Sequence, residues 1–262
     1  MSNAESSAEG SYRERGEMPA AFARRQYEAN DSRIRVLYKY QCMRPYTLST
    51  LAAGEIFLSA YEDLNDPFDP FVRIIDFLSK RTKDELGNLL VTVLAGAAVF
   101  CLSETPREQL LWAHYANCWR GFCVGYACPV GFNPRLLFPM EYVSSLRDIV
   151  IPETGQVLPD RLLQVKSSVW SYEREWRLIV SGPAARGLQS NLLPIVEVIF
   201  GSRMPADERA AVRAAVASYD PVFKVAIPMI KDGVFGIYTA EESILTDADD
   251  VRFAVFPLPP QA

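Results

Sequence analysis

The chain has 262 residues, 49% hydrophobic and 23% charged, with 14 Gly, 18 Pro and a formal net charge of −5. A globular chain of this size buries most of its apolar surface, so it needs neither disulfides nor metals to hold it together. The acidic balance argues against a broad basic face that coats nucleic acid, although a local cleft for a nucleotide remains open.

The 5 cysteines are Cys42, Cys101, Cys118, Cys123 and Cys128; they contain no Cys-x-x-Cys pair, and His114 is the single histidine. That spacing fits neither a zinc knuckle nor a disulfide framework, so the cysteines read as small buried residues in a reducing compartment.

Residues 1–17 are rich in Ser, Glu and Gly, which predicts a disordered tail without the apolar core of a secretory signal. A short helix is expected over MPAAFARRQYEAN, followed by a first strand over RIRVLYKYQ. After Pro45, TLSTLAAG reads as a short helix with Thr47 as its N-cap and Gly54 as its C-cap. EIFLSA predicts the second strand, and YEDLNDPFDP a loop. Residues 71–94 carry an interrupted helical pattern and AAVFCLSE a third strand. The apolar run from Leu89 to Ser103 contains Gly96 and is too short for a membrane span, so a cytoplasmic protein without membrane contact is expected.

PREQLLWAHYANC predicts an amphipathic helix, FCVGYAC a fourth strand and LFPMEYVS a fifth. DRLLQVKSS reads as a helix feeding a strand over EWRLIV, and PIVEVIFG as the next strand. An Ala-rich helix, ADERAAVRAAVASY, and a strand over VFKVAIP follow, with VFGIY and VRFAVFP closing the chain. Strands scattered among helices of unequal length, without a regular βαβ rhythm or repeat, predict a single α+β domain over 18–262. Its sheet is expected to be mostly antiparallel or mixed and flanked by helices.

Four clusters could carry chemistry. In Tyr38-Lys39-Tyr40, strand alternation puts Lys39 on the face opposite the tyrosines, either towards water or towards an anionic ligand. The segment from Asn65 to Asp69 (NDPFD) makes a tight turn through its own side chains, and Asn65 and Asp66 could also line a pocket. In the segment Ser103–Gly121, Trp112, Tyr115 and Trp119 fall at helical spacing, which predicts a core-facing stripe, while His114 is the side chain that titrates near neutral pH unaided. No Gly-x-Gly-x-x-Gly, P-loop or nucleophile elbow is present.

The fourth cluster, VWSYEREWRLIV, packs two tryptophans, two glutamates and two arginines into residues 169–180. Read as a strand, it puts Tyr172, Arg174 and Trp176 on one face and Glu173, Glu175 and Arg177 on the other. The set is either an ion ladder that braces the sheet or the wall of a site.

The series LYKY, TLSTLAAGEIFLSAYEDLNDPFD, CLSE, LLWAHYANCWRGFCVGY and WSYEREWRLI resembles the bacterial family catalogued as domain of unknown function 2971, from about Val36 to Gly201. That family often has a second histidine shortly after Trp-x-His-Tyr, where this chain has Trp119. The family name carries no activity. The opening also resembles the ADP-ribosyltransferase superfamily: a Tyr-basic-Tyr strand, a short T-L-x-x-L helix, a glycine and a strand ending in serine. That resemblance implies split sheets, with NAD as substrate. Lys39 would stand where the superfamily has His or Arg, with Tyr38 beside it. Ser59 would sit at the nicotinamide and Glu173-Arg174-Glu175 at the Glu-x-Glu motif. Glu175 would then be the catalytic carboxylate and Glu173 the group that orients the acceptor. His114 is carried with them as a further candidate catalytic group, and Asn65, Asp66, Trp112, Tyr115 and Arg177 as candidate walls of the NAD site. The acceptor would be a protein, a nucleic acid or water, and the setting a toxin or an anti-phage defence effector.

Two other classes stay open from the residues alone. Asp66, Asp69, Glu104 and Glu175 could hold a divalent metal for a nuclease or hydrolase, although they lie on separate segments without a recognised spacing. A non-catalytic module could instead bind a nucleotide or an antitoxin or defence partner.

Overall fold

The structure, a computed structural model, describes residues 34–66, 97–129, 137–145, 164–181, 187–190 and 193–241, together with 24, 27 and 28. The expected tail over 1–17, the helix over 71–94, Asp69 and the strand over VRFAVFP lie outside the described residues, as does most of the helix over MPAAFARRQYEAN. In chain order the elements begin with β1 (Ile34–Gln41), α1 (Thr47–Ala52), β2 (Glu55–Ala60), β3 (Ala97–Ser103) and α2 (Gln109–His114). There follow β4 (Phe122–Pro129), β5 (Leu137–Pro139), β6 (Glu141–Val143), β7 (Val165–Ser167) and β8 (Glu175–Ser181). The chain continues through β9 (Gly187–Ser190), β10 (Ile195–Gly201), α3 (Ala206–Val216), β11 (Val222–Lys231) and β12 (Val234–Glu241). This is the expected α+β class, with mixed strand pairing.

The chain divides into two compact units, each drawn from separated stretches. One contains the described residues of 15–55, 103–130 and 191–262. Here β4 lies antiparallel between β1 and β10, and β11 runs parallel to β10 and antiparallel to β12. All seven residues of β10 are buried, as expected of a strand covered on both faces. Parallel neighbours require a crossover, and α3 supplies it between β10 and β11. The rings of Phe200 and Phe223 stack at 6.0 Å, and the Arg213 guanidinium of α3 sits 4.4 Å from the Phe223 centroid. Tyr219 Oη, just beyond α3, donates to the Ala52 carbonyl at 3.0 Å and so ties α1 to this layer.

The other unit contains the described residues of 56–102 and 131–190. β2 and β3 pair antiparallel, with Ser59 opposite Val99. β8 pairs with β3 and with β5, the latter antiparallel with Phe138 opposite Arg177. β6 and β7 form a separate two-stranded parallel ribbon in which Tyr142 is opposite Lys166.

Several expectations are corrected. LFPMEYVS is not one strand: it breaks after Pro139, where Met140 N donates to Glu175 O at 2.9 Å and Glu141 N to Gln164 O at 2.7 Å, so its halves join different sheets. The end of DRLLQVKSS is the strand β7 followed by a 3-10 turn over Ser168–Glu173, because Val165 and Lys166 are both buried against partners rather than lying on a solvated helix face. α1 is capped at Tyr46, and the Thr47 hydroxyl instead accepts from Arg44 N at 3.0 Å; Ala53 is the C-cap and Gly54 the residue beyond it.

The helix expected to run through Cys118 stops at His114. Asn117, Cys118 and Trp119 then adopt left-handed φ of 48°, 51° and 71°. Each non-glycine residue in that region costs on the order of 1 kcal/mol, so packing must hold the turn. Trp119 stacks on the fully buried Trp112 at 5.3 Å, through this turn and not through helical periodicity. Gly121 and Gly201 make the turn possible: a Cβ on Gly121 would lie 2.1 Å from Gln41 O, and one on Gly201 2.2 Å from Trp119 O. Among the described residues, no helix is long and apolar enough to cross a membrane.

Candidate active site

The opening of β8 brings together charged side chains of one unit. The segment before it is not strand. Ser168–Glu173 forms a 3-10 turn, Arg174 closes it in the left-handed region (φ 44°), and β8 begins at Glu175. Glu173 therefore reaches the side of Glu175 by way of the turn and not by strand alternation.

Lys166 links the two glutamates. Its Nζ donates to Glu173 Oε2 at 2.6 Å and to Glu175 Oε2 at 2.8 Å. Arg177 completes the set, its Nε donating to Glu175 Oε1 at 2.8 Å and its Nη2 to Glu175 Oε2 at 3.3 Å. Among the described residues, four charged side chains thus converge, two of each sign, at side-chain exposures of 7% or less. Removing ions from water is costly, and only close, well-oriented partners offset that cost.

Neutral groups complete the frame. Glu175 N donates to the Tyr142 hydroxyl at 2.7 Å, and the Cys101 side chain of β3 bonds the Glu175 carboxylate. The Trp170 ring lies 5.1 Å from Lys166 Nζ, a cation–π contact. Because Tyr142 and Lys166 are cross-strand partners in the β6–β7 ribbon, one short element holds both the backbone and the carboxylate of Glu175.

The electrostatics follow from this geometry. Burial alone would raise the Glu175 pKa, but the Arg177 guanidinium and the Lys166 ammonium bring it down to about 2. Burial works against the Lys166 charge, yet the Glu175 and Glu173 carboxylates hold its pKa above the ordinary lysine value. Burial raises the Tyr142 phenol to about 12. Chemically, the cluster holds an ionised carboxylate in a dry setting, suited to stabilising positive charge that develops nearby.

The remaining sequence candidates are distributed as follows. Ser59 lies in the same unit, half-buried on β2. Asn65 is exposed and Asp66 is buried, just after a 3-10 turn over Tyr61–Asp63. Lys39, Tyr38, Trp112, His114 and Tyr115 belong to the other unit. Within it, Lys39 and Tyr38 are both half-buried on β1. Burial, and then Glu197, raises the Tyr38 pKa. Trp112 is packed throughout: Nε1 donates to Pro106 O at 2.8 Å, and its ring meets Tyr40 edge-on at 5.2 Å. His114 is exposed at the end of α2, its ring 6.3 Å from that of Tyr115. Of the metal candidates, Glu104 pairs with Arg35 at 2.6 Å. Among the described residues, no group of three or more His, Cys, Asp or Glu side chains could hold a metal ion.

Sequence reading missed Lys166, Tyr142 and Cys101. One signal pointed to the lysine: two glutamates and one arginine on a buried surface leave a net negative charge, which calls for a second cation. No motif spacing identified which lysine would supply it.

Compared with family models, with curated protein sequences and with solved structures, the chain matches none.

Proposed function

We propose that this protein is an NAD-consuming enzyme of the ADP-ribosyltransferase type, with Glu175 as its catalytic carboxylate. One observation carries this reading: the Glu175 carboxylate, at 5% exposure, is oriented by Arg177 and Lys166, with a second glutamate, Glu173, held at the same ammonium. Cleavage of NAD breaks the bond between the ribose C1′ and the nicotinamide nitrogen. The bonding pair leaves with nicotinamide, and an acceptor or water oxygen bonds to C1′ and loses its proton. Positive charge builds on the ribose meanwhile, and an ionised carboxylate in a dry site is the group that stabilises it.

The test is nicotinamide release from NAD by the purified protein, resolved by chromatography. Glu175→Gln should lower the rate by about 100-fold or more while the circular dichroism spectrum stays the same. Wild-type protein that releases no nicotinamide, with or without cell lysate as a source of acceptor, sinks the reading.

A second reading is favoured by the closure of the cluster: both carboxylates already face cations within the protein. In that reading the cluster is a brace and the protein is a binding module without catalysis. Glu175→Gln would then lower the unfolding temperature and change no NAD-dependent rate.

A further inference from the structure

We propose that Lys166 is a positioning residue: it holds Glu173 and Glu175 together as two ionised carboxylates and fixes the orientation in which Glu175 works. The inference rests on the enzymatic reading above, but its geometry stands apart from it. Two carboxylates that share one site repel, and the usual outcome is that one of them takes up a proton. Here a single ammonium contacts Glu173 at 2.6 Å and Glu175 at 2.8 Å, so the repulsion is neutralised at its source. Arg177 for its part donates twice to Glu175.

Lys166 is itself locked. Its side chain is 3% exposed, the Trp170 ring lies 5.1 Å from Nζ, and the backbone position is set by the β6–β7 pairing opposite Tyr142. Moving the ammonium would mean moving the ribbon that also accepts the Glu175 N–H. Among the described residues, the titratable groups facing this point are Glu173 from the 3-10 turn, Glu175 and Arg177 from β8, Tyr142 from β6 and Cys101 from β3. Tyr142 stays protonated throughout the range in which carboxylates titrate.

Two measurements on the full chain test the proposal: the pH profile of nicotinamide release, and the carboxyl 13C titration of glutamate-labelled protein, with the Glu175 signal assigned by its loss in Glu175→Gln. Lys166→Met should move the acid limb of the kcat profile, and the Glu175 titration with it, upward by about 1–3 pH units. KM for NAD should stay within about twofold. A folded Lys166→Met whose Glu175 titrates where the wild type does overturns the proposal, because a lysine that only fills space leaves that titration in place. Should Lys166→Met fail to fold, Lys166→Met/Glu173→Gln removes one charge of each sign and should fold with a smaller upward displacement, because the ammonium and the repelling carboxylate leave together. Failure of that pair to fold overturns the proposal in favour of a purely structural lysine. If wild-type protein releases no nicotinamide, the enzymatic reading fails by itself, and the carboxyl titration still decides the part of Lys166.

Discussion

Each of the two units contains a buried glutamate facing a lysine at the same distance, yet the two pairs differ in kind. Glu175 and Lys166 meet at 2.8 Å with side-chain exposures of 5% and 3%. Glu197 and Lys224 also meet at 2.8 Å, but there the lysine is 26% exposed. Lys224 keeps its charge partly in water, as lysines commonly do when their stems lie along a sheet. Glu197 fills the space beside Gly125, where a Cβ would come within 3.0 Å of the Glu197 Cβ. One glutamate with one solvated partner is an ordinary accommodation of charge at a sheet surface. Glu175 instead has two buried cations, a thiol partner, a tyrosine on its own N–H and a second glutamate beside it. A burial level shared by two residues therefore says little by itself; the number of dry partners distinguishes a filler from a built site.

That contrast can be broken by mutation. The largest expected effect is on catalysis: Glu175→Gln should remove NAD cleavage, whereas Glu197→Gln should leave the rate within about twofold. Equal losses would erase the distinction. Next comes stability. Arg177→Met leaves two buried carboxylates sharing the Lys166 ammonium and should cost about 3–5 kcal/mol in urea unfolding. Lys224→Met should cost less, on the order of 1 kcal/mol, because this lysine already keeps part of its charge in water. Similar values for both would mean that the Glu175 cluster is less closed than its geometry implies.

A smaller effect concerns pH. The folded-state pKa of Glu175, about 2, lies below its ordinary value of 4.5. Its contribution is therefore present above about pH 4.5 and lost as pH falls towards 2. Lys166 has the opposite sign: its raised pKa contributes stability that is present below its ordinary 10.5 and lost as the pH rises beyond it. Between those limits neither group makes stability depend on pH. Wild-type unfolding free energy should fall by roughly 3 kcal/mol more between pH 4.5 and 2 than that of Glu175→Gln. Parallel curves for the two proteins would contradict this assignment.

Much of the fold was legible in sequence because local composition and burial agree there. The strand over PIVEVIFG reads as a continuous apolar run and is buried throughout as β10. The strands over AAVFCLSE and FCVGYAC fall where β3 and β4 do. Elsewhere the local pattern carried two meanings. Asp232-Gly233, with φ of 54° and 77°, makes the tight hairpin between β11 and β12, a turn whose residue pair was present in the sequence and not used. The left-handed run over Asn117–Trp119 has no such signature, since its residues pay a local cost that only packing against Trp112 and close approach at Gly121 and Gly201 can sustain.

The cluster divides the same way. Sequence alone set apart Glu173, Glu175 and Arg177, because acidic and basic side chains so densely placed among Trp170, Tyr172 and Trp176 are rare in an ordinary strand. It could also require a further cation from charge balance. Tertiary structure alone decided that the cation is Lys166, that Glu173 arrives through a left-handed turn at Arg174, and that Tyr142 and Cys101 complete the frame. The reason is physical. Alternation and composition are properties of neighbouring residues, whereas the pairing of a buried charge is settled by whichever segment the sheet brings beside it, and the β6–β7 ribbon is brought there by pairing that no local pattern encodes.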